Sequence, residues 1–187
     1  MEKENALIQK IIKGDTNRYS VLVHRYSDQV YKLAISIVKN ESDAAEITQE
    51  TFIKVYQNLS KYRGESKFST FLYRVCYNTS LNFIKKEKKH FHQEIQESVV
   101  ETKQIHDGYF NLIKKEQQHY LKKALNNLKT DESLLLTLFY LDELSYNEIV
   151  EITGFSLSNV KVKLHRAKNH LAVEMNRLLK HEVKNLW

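Results

Sequence analysis

Residues 144–171 have the sequence LSYNEIVEITGFSLSNVKVKLHRAKNHL, which predicts two short helices joined by a tight turn. Ser145 stands three residues before Glu148, and at that spacing the two side chains can cap the start of a helix reciprocally. The first helix is therefore expected from Tyr146 to Ile152. Gly154 then supplies a residue that can take the left-handed conformation with which helices commonly end. This pattern predicts a helix-turn-helix.

The second helix of this stretch begins after a further capping residue, Ser156, and has one apolar and one polar face. At about 100° per residue, the apolar side chains at positions 160, 164, 167 and 171 share one side and are expected to pack on the first helix. The opposite and flanking side chains are Ser158, Asn159, Lys161, Val162, Lys163, His165, Arg166, Lys168 and Asn169. Cations and amides can contact base edges or phosphates, and an outward valine can contact a thymine methyl group. The face therefore favours binding of duplex DNA, with an ordinary solvated basic face as the alternative.

The composition of the whole chain favours helices almost throughout. Its 187 residues include no proline and only four glycines, and the hydrophobic share of 42% is enough for one core or two small ones. We expect an all-α fold of two small helical domains, residues 1–92 and 111–187. A flexible acidic linker, residues 93–110, is expected to join them.

The formal net charge of +6 indicates an attraction to phosphate polyanions such as nucleic acid. Basic residues exceed acidic ones in both expected domains. The single cysteine, Cys76, excludes an internal disulfide and suits a reducing compartment. Because no apolar run is long enough to span a bilayer or act as a signal peptide, we expect a cytoplasmic protein that does not insert into membranes.

A helix expected between about Asp43 and Leu59 has an acidic and amide-rich outer face. Its core-facing positions are apolar, whereas the outward side chains are Glu46, Gln49, Glu50, Lys54 and Gln57. Acidic residues near a helix start also stabilise the helix dipole. The acidic side chains of this face thus either only stabilise the helix or form a docking surface for a basic protein partner.

A second helix of the N-terminal domain, expected from about Ser69 to Lys86, mixes aromatic, basic and amide side chains on one face. These are Arg74, Tyr77, Asn78, Leu81 and Lys85, and the preceding loop adds Tyr62, Arg63, Gly64 and Phe68. Aromatic rings can stack on unpaired bases while cations follow the backbone, so the set suits single-stranded nucleic acid. Each aromatic ring, taken alone, could equally belong to the core.

Four blocks of the chain together resemble the extracytoplasmic-function (group IV) sigma factors. The blocks are KGDTNRYSVLVHRYSDQVYKLA from Lys13, AAEITQETFIKVY from Ala44, YRGESKFSTFLYRVCYNTSLNFI from Tyr62, and the stretch at 144–171. They have the order and separation of that family and cover nearly the whole chain except the linker.

The resemblance implies a function for each segment of the chain. The helix expected between about Asp43 and Leu59 would bind the clamp helices of core RNA polymerase. Its contacts would be Asp43, Glu46, Gln49, Glu50 and Lys54. The loop and helix after it would open the minus-ten promoter element and capture an extruded base, with Tyr62, Arg63, Gly64, Phe68, Arg74, Asn78 and Lys85 as contacts. The C-terminal helix would bind the minus-thirty-five duplex through Ser158, Asn159, Lys161, Val162, Lys163, His165 and Arg166.

The same resemblance implies an anti-sigma factor, often membrane-bound, as a further partner. The residues themselves include no recognisable carboxylate pair, nucleophile with a base, cysteine cluster or glycine-rich phosphate loop, so we expect neither catalytic activity nor a cofactor. Three positions depart from the family pattern: Phe71 where tryptophan is usual, Leu128-Lys129 where a Leu-Pro step is usual, and Lys161-Val162-Lys163 where Lys-Ser-Arg is usual.

Two other functional classes remain open from the residues alone. A stand-alone repressor or activator would use the helix-turn-helix on duplex sites, as a symmetric dimer. An RNA-binding module or nucleic-acid enzyme would use the basic domains and aromatics but would leave the acidic docking helix without a role. A metal site is disfavoured because His165 and His170 lie on different helical faces and because His90 and His92 lie in a basic segment.

Overall fold

The computed structural model of the chain describes residues 2–91 and 119–185. In the N-terminal lobe, residues 2–91, the helices are α1 (Glu2–Ile12), α2 (Tyr19–Val38), α3 (Glu41–Gln57) and α4 (Phe68–Phe91), with short 3-10 turns at Thr16–Arg18 and Leu59–Lys61. In the C-terminal lobe, residues 119–185, they are α5 (119–127), α6 (Thr130–Leu136), α7 (Tyr146–Thr153) and α8 (Leu157–Asn185). A π-helical turn, Thr137–Leu141, extends α6.

The expectation of an all-α fold is confirmed, since the described residues contain helices and no strand. The linker expected at residues 93–110 lies outside the described residues. The corner between α2 and α3 shows how the local sequence sets the helix ends. Lys39 ends α2 in the left-handed conformation, at φ 62°, and the Asn40 side chain then caps α3 by accepting from the Asp43 N–H at 3.1 Å.

The core of the N-terminal lobe lies where α2, α3 and α4 pack on one another. Leu22, Leu33, Ile47 and Leu72 are fully buried there. Cys76 is also buried, and burial raises the pKa of its thiol to about 12, so it is inert as a nucleophile. Helix α1 is held to α2 through Glu4, which accepts from Arg25 at 2.9 Å and from the Tyr26 hydroxyl at 2.7 Å.

The C-terminal lobe packs α6 and α7 against α8. Leu134, Leu138 and Ile149 are fully buried, and they face the apolar stripe of α8 at positions 160, 164 and 167. The stripe predicted from helical periodicity is therefore the buried one.

The two lobes pack against each other, with α2 in contact with α6 and α4 in contact with α7. Their buried apolar side chains belong to one continuous cluster, which includes Leu33 and Leu72 from one lobe and Leu134 and Ile149 from the other. In the described part of the chain, no helix combines the length and the apolar character needed to cross a membrane.

Candidate nucleic-acid interface

The helix-turn-helix begins at the capping box predicted from sequence. The Ser145 N–H donates to Glu148 Oε2 at 2.8 Å, and the Glu148 N–H donates to Ser145 Oγ at 3.3 Å. The helix extends one residue beyond the predicted end, to Thr153, and Gly154 closes it at φ 73°. The prediction of a capped helix followed by a glycine turn is confirmed.

Helix α8 begins immediately after Ser156, whose hydroxyl accepts from the Asn159 N–H at 3.2 Å. Val160, Leu164 and Ala167 are buried against α6 and α7, which fixes the rotation of the helix. The opposite face is consequently turned to solvent.

That solvent face carries most of the residues expected to contact duplex DNA. The exposed members are Ser158, Asn159, Lys161, Val162, His165, Arg166, Lys168 and Asn169. Val162 is 46% exposed, an apolar group with no core to join. The Lys161 ammonium lies 5.6 Å from the centroid of the Tyr146 ring, which holds it beside the turn. The arrangement can place hydrogen-bond donors and a methyl contact in a major groove together.

Lys163 differs from the other expected DNA contacts. It is half-buried and forms an ion pair with Asp131 of α6, and its ammonium lies 4.8 Å from the centroid of the Phe155 ring. In this conformation its charge faces α6 and is not presented with the exposed set. Spacing along α8 could not show this, because the partner comes from another helix.

The second candidate surface is the outer face of α4 with its preceding loop. Arg74, Asn78 and Lys85 on the helix and Arg63 and Gly64 in the loop are exposed, as expected. Gly64 has φ 75°, a conformation that suits glycine, and allows the loop to turn into α4. Cations and an amide are therefore available along one side of the helix.

Two aromatic residues of that expected surface are instead part of the core. Tyr62 is 8% exposed and Phe68 is 1% exposed. Their rings meet edge-to-face at 5.6 Å, and the Tyr62 hydroxyl donates to the Ser66 carbonyl at 2.8 Å. Their expected role as free stacking surfaces is contradicted by this burial, because the two rings pack on each other and on Tyr26 and Phe71.

Tyr77 also departs from the expectation of an outward aromatic on α4. It is 7% exposed. Burial, and then the nearby carboxylate of Asp131, raises the pKa of its hydroxyl. Leu81, expected on the same outward face, is half-buried. The C-terminal lobe thus lies along one edge of the α4 face.

The outer face of α3 carries the residues expected to dock on a protein partner. Glu46 and Gln49 are exposed, whereas Glu50 and Lys54 pair with each other at 2.8 Å. Asp43 is half-buried, and burial followed by the nearby Glu87 raises the pKa of its carboxyl group. A groove of about 560 Å³ runs between this face and α4.

Several polar residues that were not expected to have a role lie between the lobes. The Lys39 ammonium donates to the Leu125 carbonyl at 2.6 Å, and burial lowers its pKa to about 8. Lys67 pairs with Glu148 at 2.8 Å. Asp142 lies against Tyr73 and is acted on by Lys32, and burial raises the pKa of its carboxyl group to about 6. Apart from Glu148, which the capping box marks for a different role, no helical periodicity or motif marks these residues, because each meets its partner across the lobe boundary.

The histidines do not assemble a metal site in the part of the chain that is described. His170 pairs with Glu132 at 2.8 Å, and His165 Nε2 lies 3.4 Å from the Asn169 amide nitrogen. Among the described residues, no group of three or more histidine, cysteine or acidic side chains could hold a metal ion.

Each lobe of the chain matches the model of a known protein family. Residues 22–90 match the model of Sigma-70 region 2, and residues 118–171 match the model of Sigma-70, region 4; together they cover more than half of the chain. The ECF RNA polymerase sigma factor SigW of Bacillus subtilis is 28% identical over 91% of this chain and 96% of its own. The ECF RNA polymerase sigma-E factor of Escherichia coli K12 is 28% identical over 95% and 96%.

A solved structure has the same fold at low sequence identity. The sigma factor RpoE from Bartonella quintana, crystallised with the anti-sigma factor NepR, superposes with a TM-score of 0.70. It is 19% identical, and the match covers 84% of this chain and 96% of that one.

Proposed function

The chain belongs to the sigma-70 family as a member of its extracytoplasmic-function group, and we therefore propose that it directs core RNA polymerase to specific promoters and helps to open them. Members of this family are DNA-binding initiation factors. We assign residues 1–92 to polymerase docking and the minus-ten element, and residues 111–187 to the minus-thirty-five element. The two matched ranges, 22–90 and 118–171, support this division.

The observation that carries the proposal for the minus-thirty-five element is the exposed face of α8. Its buried stripe fixes which side chains point outward, and those include Arg166, Lys161 and the solvent-exposed Val162. Arginine and lysine can donate to guanine, and a valine can contact a thymine methyl group. Lys163 contributes to binding only if its ion pair with Asp131 breaks.

For the minus-ten element, the proposal rests on Arg63, Gly64, Arg74, Asn78 and Lys85. Their exposed cations can follow a single strand, and the Asn78 amide can bond to the edge of an extruded base. Unstacking a base costs a few kcal/mol, which a site specific for the extruded base can offset without nucleotide hydrolysis. Tyr62 and Phe68 support the loop from within and do not stack on a base while the loop keeps this conformation.

The outer face of α3 is the proposed docking surface for the polymerase. Glu46, Gln49, Glu50 and Lys54 lie along one side of this helix, and the first two are exposed. Asp43, expected in the same set, is half-buried at the start of the helix and is a weaker candidate for contact.

An anti-sigma factor is the proposed regulatory partner. RpoE of Bartonella quintana, which shares this fold, was solved with such a partner. A stand-alone repressor is disfavoured, since it would assign no role to the region 2 match in the N-terminal lobe.

The test is a binding assay with purified core RNA polymerase, followed by transcription from a genomic promoter library. Glu46→Lys reverses an exposed charge on α3 and should weaken polymerase binding at least several-fold. Glu151→Lys makes the same charge change at an exposed position of α7 and should leave binding unchanged. Equal affinity for both variants would remove α3 from the docking surface, and specific duplex binding without any polymerase binding would favour the repressor.

A further inference from the structure

One flank of α8 carries two side chains that pair with the first turn of α6. Lys163 forms an ion pair with Asp131, and His170 pairs with Glu132 at 2.8 Å. Positions 163 and 170 are seven residues apart, which at about 100° per residue places them on nearly the same side of the helix. Two neighbouring carboxylates of α6 therefore face this flank of α8.

Lys163 is held by a second contact besides its carboxylate partner. Its ammonium lies 4.8 Å from the centroid of the ring of Phe155, which belongs to the turn between α7 and α8. Aromatic rings attract cations to their faces. The Lys163 side chain is 31% exposed and that of Asp131 is 45% exposed. The ammonium is thus held at the edge of the lobe by groups from two different segments.

The neighbouring cations of α8 have no such carboxylate partner. Lys161, Arg166 and Lys168 are exposed, and none of them forms an ion pair among the described residues. Because three residues turn a helix by about 300°, Lys163 lies only about 60° around the helix from Arg166. A free lysine at this position, on the flank of a helix in the major groove, would suit a phosphate.

A phosphate contact of this kind has a known effect on duplex affinity. Each phosphate that a protein neutralises releases counterions and steepens the fall of log K with log salt by about 0.9. One contact therefore corresponds to roughly five- to tenfold in affinity near 0.1 M salt. The gain is the same for every sequence, because phosphates carry no base information. A helix that withholds one lysine consequently binds arbitrary duplex less tightly and keeps its base contacts.

We propose that Asp131 withholds Lys163 from duplex DNA, so that α8 binds with one phosphate contact fewer than its sequence supplies. Binding to arbitrary sequences is thereby kept weak, and a larger share of the affinity comes from Lys161, Val162 and Arg166. This inference rests on the proposed function only for its ligand, duplex DNA. Asp131 acts through Lys163 and is a positioning residue.

The test is the binding of the full chain to a random-sequence duplex, followed by fluorescence anisotropy from about 50 to 300 mM salt. Asp131→Asn should steepen the slope of log K against log salt by about 0.9 and raise affinity roughly five- to tenfold near 0.1 M salt. Lys163→Met alone should leave the slope unchanged, because the lysine makes no DNA contact in the wild type. The double variant should have the wild-type slope.

Glu151→Gln is the matched control, because it removes one carboxylate charge at an exposed position of α7 that has no ion-pair partner among the described residues. It should leave the slope unchanged. Asp131→Glu keeps the carboxylate and should behave like the wild type. Asp131 also acts on Tyr77, but the single and double variants share that change, so only the difference that depends on Lys163 counts. Circular dichroism confirms that each variant is folded.

Three results would overturn the proposal. A shallower slope for Lys163→Met alone would show that this lysine already contacts a phosphate. An unchanged slope for Asp131→Asn would show that the carboxylate does not withhold it. A steeper slope that persists in the double variant would assign the effect to the lost charge at position 131.

A second arm repeats the measurement on matched and mismatched minus-thirty-five duplexes with core polymerase present. Asp131→Asn should raise both affinities by the same factor, since a phosphate contact does not distinguish sequences. A larger gain on one duplex would mean that the freed Lys163 contacts a base, and would overturn the phosphate assignment. If no variant bound polymerase while the salt slopes were as expected, the proposed function would fail and the role of Asp131 would be supported.

Discussion

Arg166 is the residue on which sequence specificity is most directly testable. It is exposed on α8, and no hydrogen bond or ion pair to it is found among the described residues. Arg166→Ala should weaken binding of the minus-thirty-five duplex by about 1–3 kcal/mol, or roughly 5- to 150-fold, if the guanidinium contacts a guanine. Fluorescence anisotropy of the polymerase-bound chain on matched and mismatched duplexes measures this effect.

Arg177 provides the control on the same helix. Its guanidinium is paired with Glu174 one turn away, and it lies beyond the proposed contact set. Arg177→Ala should leave duplex affinity within a factor of about two. A similar loss in both variants would show that α8 contributes only general positive charge.

The exposure of three aromatic residues in and before α4 could not be predicted from the residue types alone. Tyr62, Phe68 and Tyr77 have the composition of a stacking surface, yet each is buried. The rings of Tyr62 and Phe68 pack on Tyr26 and Phe71, and Tyr77 is buried near the Asp131 carboxylate of the other lobe. The contact of Phe68 with Tyr26 and the position of Tyr77 near Asp131 involve residues far apart in sequence, so periodicity within α4 could not reveal them.

At the scale of the helix, α7 depends on the capping box at its start. Ser145→Ala removes the side chain that accepts from the Glu148 N–H and should lower the free energy of unfolding by about 1 kcal/mol. Denaturant unfolding followed by circular dichroism measures the change.

Ser158→Ala is the matched substitution in the first turn of α8. Ser158 is exposed, and its side chain makes no hydrogen bond within the described part of the chain. Its replacement should change stability by less than about 0.5 kcal/mol while weakening duplex binding. If both serines affected stability equally, the cap would not be the cause.

The helices themselves were the most predictable feature of the fold. The capping box, the glycine turn and the apolar stripe of α8 are local signals, and the structure confirms each of them. The left-handed end of α2 at Lys39 was not predictable, because glycine or asparagine usually marks such an end and lysine does not.

At the scale of the whole molecule, Asp142 makes the packing of the two lobes dependent on pH. Burial between the lobes raises its pKa to about 6, although Lys32 and Tyr73 lower it in part. Parting the lobes would return the group to its ordinary range, so the packed lobes bind the extra proton. Lowering the pH from 7 to 5 should therefore favour the packed arrangement by about tenfold.

Scattering across this pH range measures the effect, and Asp142→Asn should abolish most of the dependence. Glu148 stays ionised over this range because its pKa is lowered. Burial alone would raise the pKa of its carboxyl group, but the hydrogen bonds from Lys67 and Ser145 outweigh the effect of burial. The pairing with Lys67 thus persists throughout. An unaltered pH response in Asp142→Asn would assign it to another group.

The relative placement of the lobes lay beyond sequence reasoning for the same physical reason as the buried aromatics. Two amphipathic helical units and a basic net charge are visible in the chain, but which faces meet depends on contacts such as Lys67 with Glu148, 81 positions apart. The expected division into two domains therefore did not include their contact.

The apolar cluster shared by α2, α4, α6 and α7 has a consequence for how the chain melts. Lobes that bury leucines on each other lose those contacts together, so the chain behaves as one cooperative unit on heating. Lobes that were parted would each retain only a small core and would unfold as two less stable units. A single melting transition of the chain therefore reports the contact between its lobes.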